Sequence, residues 1–304
     1  MRIPDLRSIN SMEHLRRRVE HYFFGKSKKA LPDTQLNLDM FEAEFQTDEK
    51  PRLSDNPAFF IDFLSSILPE GNVYLFGGIL RDLALYGKRG FSSDIDLVVD
   101  KDWRRCQSYL ETIGAAKNKF GGYRLYIGKQ PIDIWAAEET WAIRSGYIEY
   151  AGISSLTETT VLNWDAILMN WRSKLFICQP NYLEELRSQV LDIVLEENPN
   201  PKGMAVRVFR HFCLKDPAQL TVKAAKYLAR CADQYTYKEL QDYEINSYGN
   251  SFIEKTIYLI FKEMNDFKGL SDSERYNSAI NRVENSGLTL SLMQAEVNFG
   301  FPSQ

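Results

Sequence analysis

Short apolar runs and amphipathic stretches alternate through the first half of the chain. The apolar runs have the length and the flanking turn residues of β-strands, and they lie at residues 73–76, 94–99, 123–127 and 132–135. Stretches with helical periodicity lie before and between them, at residues 11–24, 57–68, 78–86 and 102–113. The order strand, helix, strand, helix, strand, strand predicts an α+β fold, with a small domain around a mixed sheet.

The second half of the chain is predicted to be mostly helical. Residues 160–171 are mostly apolar and ambiguous between helix and strand, and their length favours a helix. An edge strand is predicted at 175–178. Helical periodicity then dominates at residues 182–195, 204–214, 218–231, 252–267 and 271–284. Residues 25–55 lack periodicity and contain two prolines. We therefore predict an N-terminal extension over 1–54, a mixed-sheet head over 55–180 and a helical domain over 181–304.

Composition narrows the class of protein. No apolar run approaches the roughly 20 residues that span a bilayer, and the N-terminus lacks the apolar core of a secretory signal. The four cysteines show no metal-ligand spacing and are predicted to be reduced thiols of a cytoplasmic protein. With 37 basic and 41 acidic residues, the net charge does not indicate a nucleic-acid binder. A local patch of basic residues can still bind nucleic acid, because binding depends on where the charges lie. We expect no membrane partner.

A glycine pair marks the turn after the first strand. Gly77 and Gly78 stand where the strand passes into a helix. Glycine lets a phosphate approach the backbone, and the N–H groups at a helix N-terminus favour an anion. Taken alone, such a pair is more often simply a tight turn.

Three aspartates lie on or next to strands that are predicted to be neighbours. Asp94 and Asp96 are two residues apart on one strand, so their side chains share a face. Asp133 lies between two isoleucines of a later strand. Clustered carboxylates repel one another unless a cation neutralises them, and oxygen ligands suit Mg²⁺ or Mn²⁺. A cap at the start of the strand is the structural alternative for the first two. Arg124 either faces the same pocket or is a surface cross-strand charge.

These residues form a specific combined motif. It reads Phe76-Gly77-Gly78-Ile79-Leu80-Arg81-Asp82, then Ser93-Asp94-Ile95-Asp96-Leu97-Val98-Val99. It resembles the head domain shared by CCA-adding enzymes and bacterial poly(A) polymerases, within the polymerase-β-like nucleotidyltransferases. The family pattern is Gly-Gly-x-x-Arg-Asp, a short gap, Asp-x-Asp on a strand, and a third carboxylate further on.

The resemblance implies a role for each matching residue. Gly77 and Gly78 are expected to hold a triphosphate, and Arg81 to support the nucleotide site. The catalytic and metal-binding residues are expected to be Asp94, Asp96 and Asp133. The implied activity is an enzyme that transfers a nucleoside monophosphate from an NTP, ATP among them, to an acceptor hydroxyl and releases pyrophosphate. Mg²⁺ is the expected cofactor, with Mn²⁺ as an alternative. The favoured acceptor is the 3′ end of an RNA, as in tRNA processing.

The downstream match is weaker. The family's Arg-Arg-Asp is absent near residues 159–167, and its acidic Asp-Pro segment, which helps select the nucleotide, is replaced at 198–202. Arg207 and Arg210 resemble the arginine-rich helix that follows this segment, and they are predicted to bind the nucleotide. Further cations follow on the next helix and predict either an RNA-backbone track or a solvated face: Lys223, Lys226 and Arg230.

Two rival functions remain at this stage. The departures from the family favour a toxin-like or defence-type transferase that modifies tRNA or a protein hydroxyl. The other rival is a non-catalytic nucleotide-binding regulator, against which the retained carboxylates argue, since clustered charge is costly.

Overall fold

The structure is a computed structural model, and it describes residues 9–25, 56–91, 93–215 and 217–287. The chain divides into two compact units. The first contains residues up to 157 together with 167–179, and the second contains 158–166 together with those from 180 onward. The irregular segment predicted at residues 25–55 lies outside the described residues, except for residue 25. The predicted domain borders after residues 54 and 180 stay a prediction.

A mixed seven-stranded sheet is the centre of the first unit. Its strands are β1 Asn72–Phe76, β2 Ile95–Asp100, β3 Ala116–Lys117, β4 Tyr123–Ile127, β5 Gln130–Ala136, β6 Ile167–Asn170 and β7 Phe176–Cys178. They lie in the order β3-β4-β5-β2-β1-β6-β7. Neighbouring strands of this sheet are antiparallel except β2 and β5, which are parallel. The predicted α+β class is confirmed.

Helices flank this sheet. Those of the first unit are α1 Met12–Phe24, α2 Pro57–Ser66, α3 Gly78–Tyr86, α4 Trp103–Thr112 and α5 Trp141–Arg144. The first two begin at polar caps: Ser11 accepts a hydrogen bond from the His14 N–H, and Asn56 accepts one from the Ala58 N–H. Such caps satisfy N–H groups that lack a partner within the helix.

The two faces of the sheet differ in chemistry. Leu75, Leu97 and Ile134 point to one face and are fully buried, and helices α2 to α4 pack on the sheet. On the other face, Tyr74 and Val98 belong to an apolar cluster with side chains from residues 137–177. Because side chains alternate along a strand, the same face carries aspartates at the start of β2. This face therefore has an apolar end and an acidic end.

Two helix predictions are wrong. Residues 160–171 contain a single turn of 3₁₀ helix, Asn163–Asp165, followed by strand β6. This strand lies next to β1 with both faces covered, so it lacks the polar alternation that distinguishes strand from helix. The helix predicted over 182–195 ends at Arg187, and Gln189 has a left-handed backbone with φ of 53° that stops it.

The second unit consists mainly of helices. They are α6 Tyr182–Arg187, α7 Pro201–Lys215, α8 Val222–Gln234, α9 Tyr237–Tyr248, α10 Lys255–Met264 and α11 Asp272–Asn285. Two short parallel strands join them, β8 Val190–Leu191 and β9 Gln219–Leu220. Helix α9 was not predicted, although Thr236 and Glu239 form a capping box, which is a sequence signature of a helix N-terminus. Within the described ranges, every helix is too short or too polar to cross a bilayer.

Candidate active site

Strand register brings two of the predicted aspartates side by side. β2 and β5 are parallel, and their pairing places Asp96 directly beside Asp133. Asp94 immediately precedes β2, two residues before Asp96, so its side chain shares the same face. The side chain of Asp94 is 39% exposed and that of Asp133 is 21% exposed, so this acidic end of the sheet is open to ligands.

The glycine turn adjoins this acidic end. Phe76, the last residue of β1, pairs with Asp96, and α3 begins two residues later at Gly78. Gly77 has φ of 62° and ψ of −117°, a backbone that favours glycine. A Cβ placed on Gly78 would lie 3.5 Å from the Ser93 hydroxyl oxygen, next to Asp94 in the chain.

One amide of this turn already has a partner. The Gly77 N–H donates to the carbonyl of Ile167 at 3.0 Å, which ties the turn to strand β6. The carbonyl of Gly77 accepts from the N–H groups of Leu80 and Arg81. The outward-facing amides expected from the sequence therefore have to come from Gly78 and the residues after it.

Arg81 and Asp82 form a buried pair on α3. Their side chains are 7% and 4% exposed, and the Arg81 Nε donates to the Asp82 Oδ1 at 2.9 Å. The Arg81 guanidinium also lies 3.5 Å from the position that a Cβ on Gly78 would take. Arg81 thus lies close to the glycine turn, while its predicted role toward a nucleotide stays a prediction.

Arg124 contacts two of the three carboxylates, Asp94 and Asp133. β4 and β5 pair antiparallel with Arg124 opposite Asp133. The Arg124 Nε donates to Asp133 Oδ1 at 2.7 Å, and its Nη2 donates to Asp133 Oδ2 at 2.5 Å. The same Nη2 also forms an ion pair with Asp94. The hydrogen bonds to Asp133 raise the pKa of Arg124 above its ordinary value, as expected for a guanidinium held by two carboxylates.

Sequence reasoning left Arg124 undecided between the pocket and a surface charge. Its position could be worked out from the hairpin: with Gly128 and Lys129 as the turn, Ile127 faces Gln130, and counting outward places Arg124 opposite Asp133. The structure places it against Asp94 and Asp133, at the acidic end of the sheet.

The donor chemistry at this place suits a hard divalent cation. All three predicted ligands are carboxylates, and Asp96 and Asp133 are in register on neighbouring strands. In the described residues, however, no group of three His, Cys, Asp or Glu side chains has the geometry of a metal centre. A guanidinium bridges Asp94 and Asp133 instead.

The two predicted arginines of the second unit lie in different surroundings. Arg207 is exposed and lines a cavity of about 320 Å³ on α7 and α9, together with Asn200, Gly203 and Tyr243. No pattern in the sequence indicated this cavity. Arg210 is largely buried, and its Nη1 donates to Glu244 at 2.5 Å. Arg207 is therefore accessible to a ligand, whereas Arg210 is held within the protein.

The three predicted cations of α8 have acidic or carbonyl partners. Lys226 forms an ion pair with Asp272 at 3.1 Å, and Arg230 forms one with Glu196. Lys223 donates to the carbonyl of Val194 at 2.8 Å. These contacts reduce the positive charge that a phosphate backbone would meet along α8.

Neither a comparison with protein-family models nor one with curated proteins finds a match. Among solved structures, the chain is similar to a CCA-adding enzyme with CTP, with a TM-score of 0.44 and 14% identity over 75% of this chain and 70% of that one. It is also similar to the Thermotoga maritima CCA-adding enzyme complexed with tRNA, with a TM-score of 0.46 and 14% identity over 78% and 68%. These scores and identities are too low to assign an activity or substrates to this chain.

Proposed function

We propose that this chain transfers a nucleoside monophosphate from an NTP to an acceptor hydroxyl and releases pyrophosphate. The observation that carries the proposal is the register of β2 and β5, which sets Asp96 beside Asp133 at the open, acidic end of the sheet, with Asp94 on the same face. The glycine turn at Gly77 and Gly78 adjoins this end. Carboxylates next to a helix N-terminus suit a metal-bound polyphosphate.

Each residue has a proposed task. Asp94, Asp96 and Asp133 would hold Mg²⁺, or Mn²⁺ in its place, which when bound supplies charge neutralisation and activation of the acceptor oxygen. Gly78 lets the triphosphate approach the first amides of α3, and the buried Arg81 supports that turn. Asp133, on the strand next to Asp96, is assigned to the side of the acceptor hydroxyl. In the reaction, the acceptor hydroxyl loses its proton to solvent water and its oxygen bonds to the α-phosphorus, while the bond from that phosphorus to the pyrophosphate oxygen breaks.

The favoured acceptor is the 3′ end of a tRNA-like RNA, and this choice rests on the sequence resemblance. Arg207 is the exposed cation of α7 that is available to a nucleotide, and we retain it as a nucleotide-binding candidate together with Arg210. A cytoplasmic location and the predicted domain borders belong to the same proposal.

A second candidate keeps the chemistry and changes the acceptor to a protein hydroxyl. The observation that favours it is the pairing of the α8 cations: Lys226 with Asp272, and Arg230 with Glu196. Neutralised cations release few counterions when a phosphate backbone approaches, so they add little RNA affinity. A non-catalytic regulator is the remaining alternative.

The experiment is a label-transfer assay. The full chain is incubated with Mg²⁺, each α-labelled NTP in turn, total tRNA and a protein extract, and RNA and protein are then separated. Label in RNA supports the favoured acceptor, and label confined to protein supports the second candidate. Asp94→Asn and Asp96→Asn should abolish either signal.

Asp100→Asn is the matched control. Asp100 lies on the same strand and face as Asp96, but it accepts a hydrogen bond from the Tyr150 hydroxyl at the far end of β2. Asp100→Asn removes one negative charge without changing a residue of the predicted site, so transfer of the labelled nucleotide should persist. Transfer that survives Asp94→Asn and Asp96→Asn would refute the proposed site, and an absence of label everywhere would support a non-catalytic role.

A further inference from the structure

Arg124 occupies the acidic end of the sheet as a cation provided by the protein itself. Resting on the proposed function, we infer that Arg124 competes with the divalent cation for Asp94 and Asp133, and that it releases them when the metal arrives together with the NTP triphosphate. Arg124 is thus a positioning residue that makes the site prefer a metal–nucleotide complex over free metal.

The geometry of the contact supports competition. Two nitrogens of the Arg124 guanidinium contact the two oxygens of Asp133, at 2.7 and 2.5 Å, and one of them also contacts Asp94. A planar guanidinium is shaped for this two-pronged contact with a carboxylate. A divalent ion bound by Asp94 and Asp133 would share these carboxylates with the guanidinium, and the two cations would repel each other at close range. Binding of one cation therefore weakens binding of the other.

The side chain of Arg124 has room to leave. It is 46% exposed and extends from β4, which lies between the short strand β3 and β5 near one edge of the sheet. Rotating it away leaves no buried cavity, so the fold does not oppose release. The contacts that hold it are partly solvated, and such ion pairs are individually weak. A strongly charged ligand can therefore displace it.

The triphosphate offers the guanidinium a better partner. Phosphate oxygens accept paired hydrogen bonds from arginine as carboxylates do, and an NTP carries several of them. A free metal ion must displace Arg124 into water, whereas a metal–NTP complex brings the anion that receives it. By linkage, the nucleotide then raises the metal affinity and the metal raises the nucleotide affinity by the same factor.

Manganese titration of the full chain without nucleotide, followed by electron paramagnetic resonance of free Mn²⁺, tests the competition. Arg124→Met should bind Mn²⁺ about tenfold more tightly than wild type. In wild type the metal has to displace two partly exposed ion pairs, and their combined free energy corresponds to roughly a factor of ten in affinity. A non-hydrolysable NTP analogue binds Mn²⁺ by itself, so its effect is taken after subtraction of a titration without protein. With that correction, the analogue should raise the Mn²⁺ affinity of wild type by a larger factor than that of the variant.

The matched control is Arg144→Met. Arg144 is also an exposed arginine of the first unit, and it pairs at 3.3 Å with Glu139, which is not a predicted ligand. This variant removes the same charge and should bind Mn²⁺ as wild type does. Arg124→Lys keeps the charge without the planar fork and should fall between wild type and Arg124→Met. Circular dichroism and thermal melting verify that each variant is folded.

The outcomes separate this inference from the function on which it rests. Equal or weaker Mn²⁺ binding by Arg124→Met, with binding that still depends on Asp94, would overturn the role of Arg124 and leave the metal site standing. Mn²⁺ binding that no variant alters, Asp94→Asn included, would overturn both. A tenfold gain that Arg144→Met reproduces would mean that net charge alone is responsible, and it would also overturn the inference.

Discussion

Arg210 provides a sharp test of how the helical unit is stabilised. Its guanidinium donates to Glu244, a carboxylate with no exposed surface, and stacks 4.2 Å from the centre of the Tyr248 ring. Arg210→Met keeps the aliphatic part of the side chain and removes the charge. Because Glu244 would then be a buried anion without its counter-ion, we expect the unit to lose stability.

The magnitude follows from the partners that remain. Removing one member of a buried ion pair costs about 3–5 kcal/mol. Glu244 would keep three donors, the Ser251 hydroxyl at 3.1 Å and the N–H groups of Phe252 and Ile253 at 2.9 and 3.2 Å. These hydrogen bonds still stabilise the anion, so the lower end of the range, about 3 kcal/mol, is expected.

Hydrogen exchange measured by mass spectrometry gives a local readout. Protection of the segment around Phe252 and Ile253 should fall by about a hundredfold, since each 1.4 kcal/mol corresponds to roughly a factor of ten. Arg207→Met, one turn earlier on α7 and exposed, is the control and should leave this protection unchanged. Unchanged protection in Arg210→Met, combined with a loss of nucleotide affinity, would refute the structural role and favour direct nucleotide contact.

Two further predictions concern other parts of the chain. Burial against the Trp171 ring lowers the pKa of Lys174 from 10.5 to about 8. Between these values the unfolded chain binds more protons than the folded chain, so the free energy of unfolding should rise with pH across that window. Urea unfolding of wild type should show this rise and Lys174→Met should lack it, whereas a rise of equal size in both would contradict the assignment. Gly203→Ala should destabilise the helical unit, because the added Cβ would lie 2.8 Å from the Tyr243 hydroxyl oxygen and overlap the Asn200 amide. Such overlap costs about 1–3 kcal/mol, and the gain of about 1 kcal/mol that alanine brings to a helix offsets part of it. A net loss of about 1 kcal/mol and a lower melting temperature are expected, and an unchanged or higher melting temperature would refute the close packing.

The sequence predicted the centre of the sheet well because its signals are local there. β1, β2, β4 and β5 are short apolar runs with turn residues between them, and their period of two fixes which residues share a face. The relation between Asp94 and Asp96 follows from that period. That period does not determine that Asp96 lies beside Asp133. Their proximity depends on the pairing of β2 with β5, which are separated in sequence by a helix and a hairpin.

The wrong helix prediction for β6 and the unpredicted burial of Arg210 have the same physical origin. Strand β6 is covered on both faces because it lies next to β1, a contact that joins residues far apart in sequence, so its run of apolar residues looks helical. The burial of Arg210 likewise depends on Glu244 from another helix, and a charged residue on an amphipathic helix does not reveal such a partner. Tertiary contacts decide both cases, and local patterns do not record them.

The most direct test of the central claim is pyrophosphate release by the purified full chain with Mg²⁺, an NTP mixture, total RNA and a protein extract, compared among wild type, Asp96→Asn and Asp100→Asn. Release counts transfer to any acceptor, so it does not depend on choosing between RNA and protein. We predict release by wild type and by Asp100→Asn, and a fall of at least about a hundredfold in Asp96→Asn, since a ligand that acts in the transition state is worth several kcal/mol. Equal release by wild type and Asp96→Asn, or a loss in Asp100→Asn as large as that in Asp96→Asn, would contradict the assignment of the acidic end of the sheet as the catalytic site.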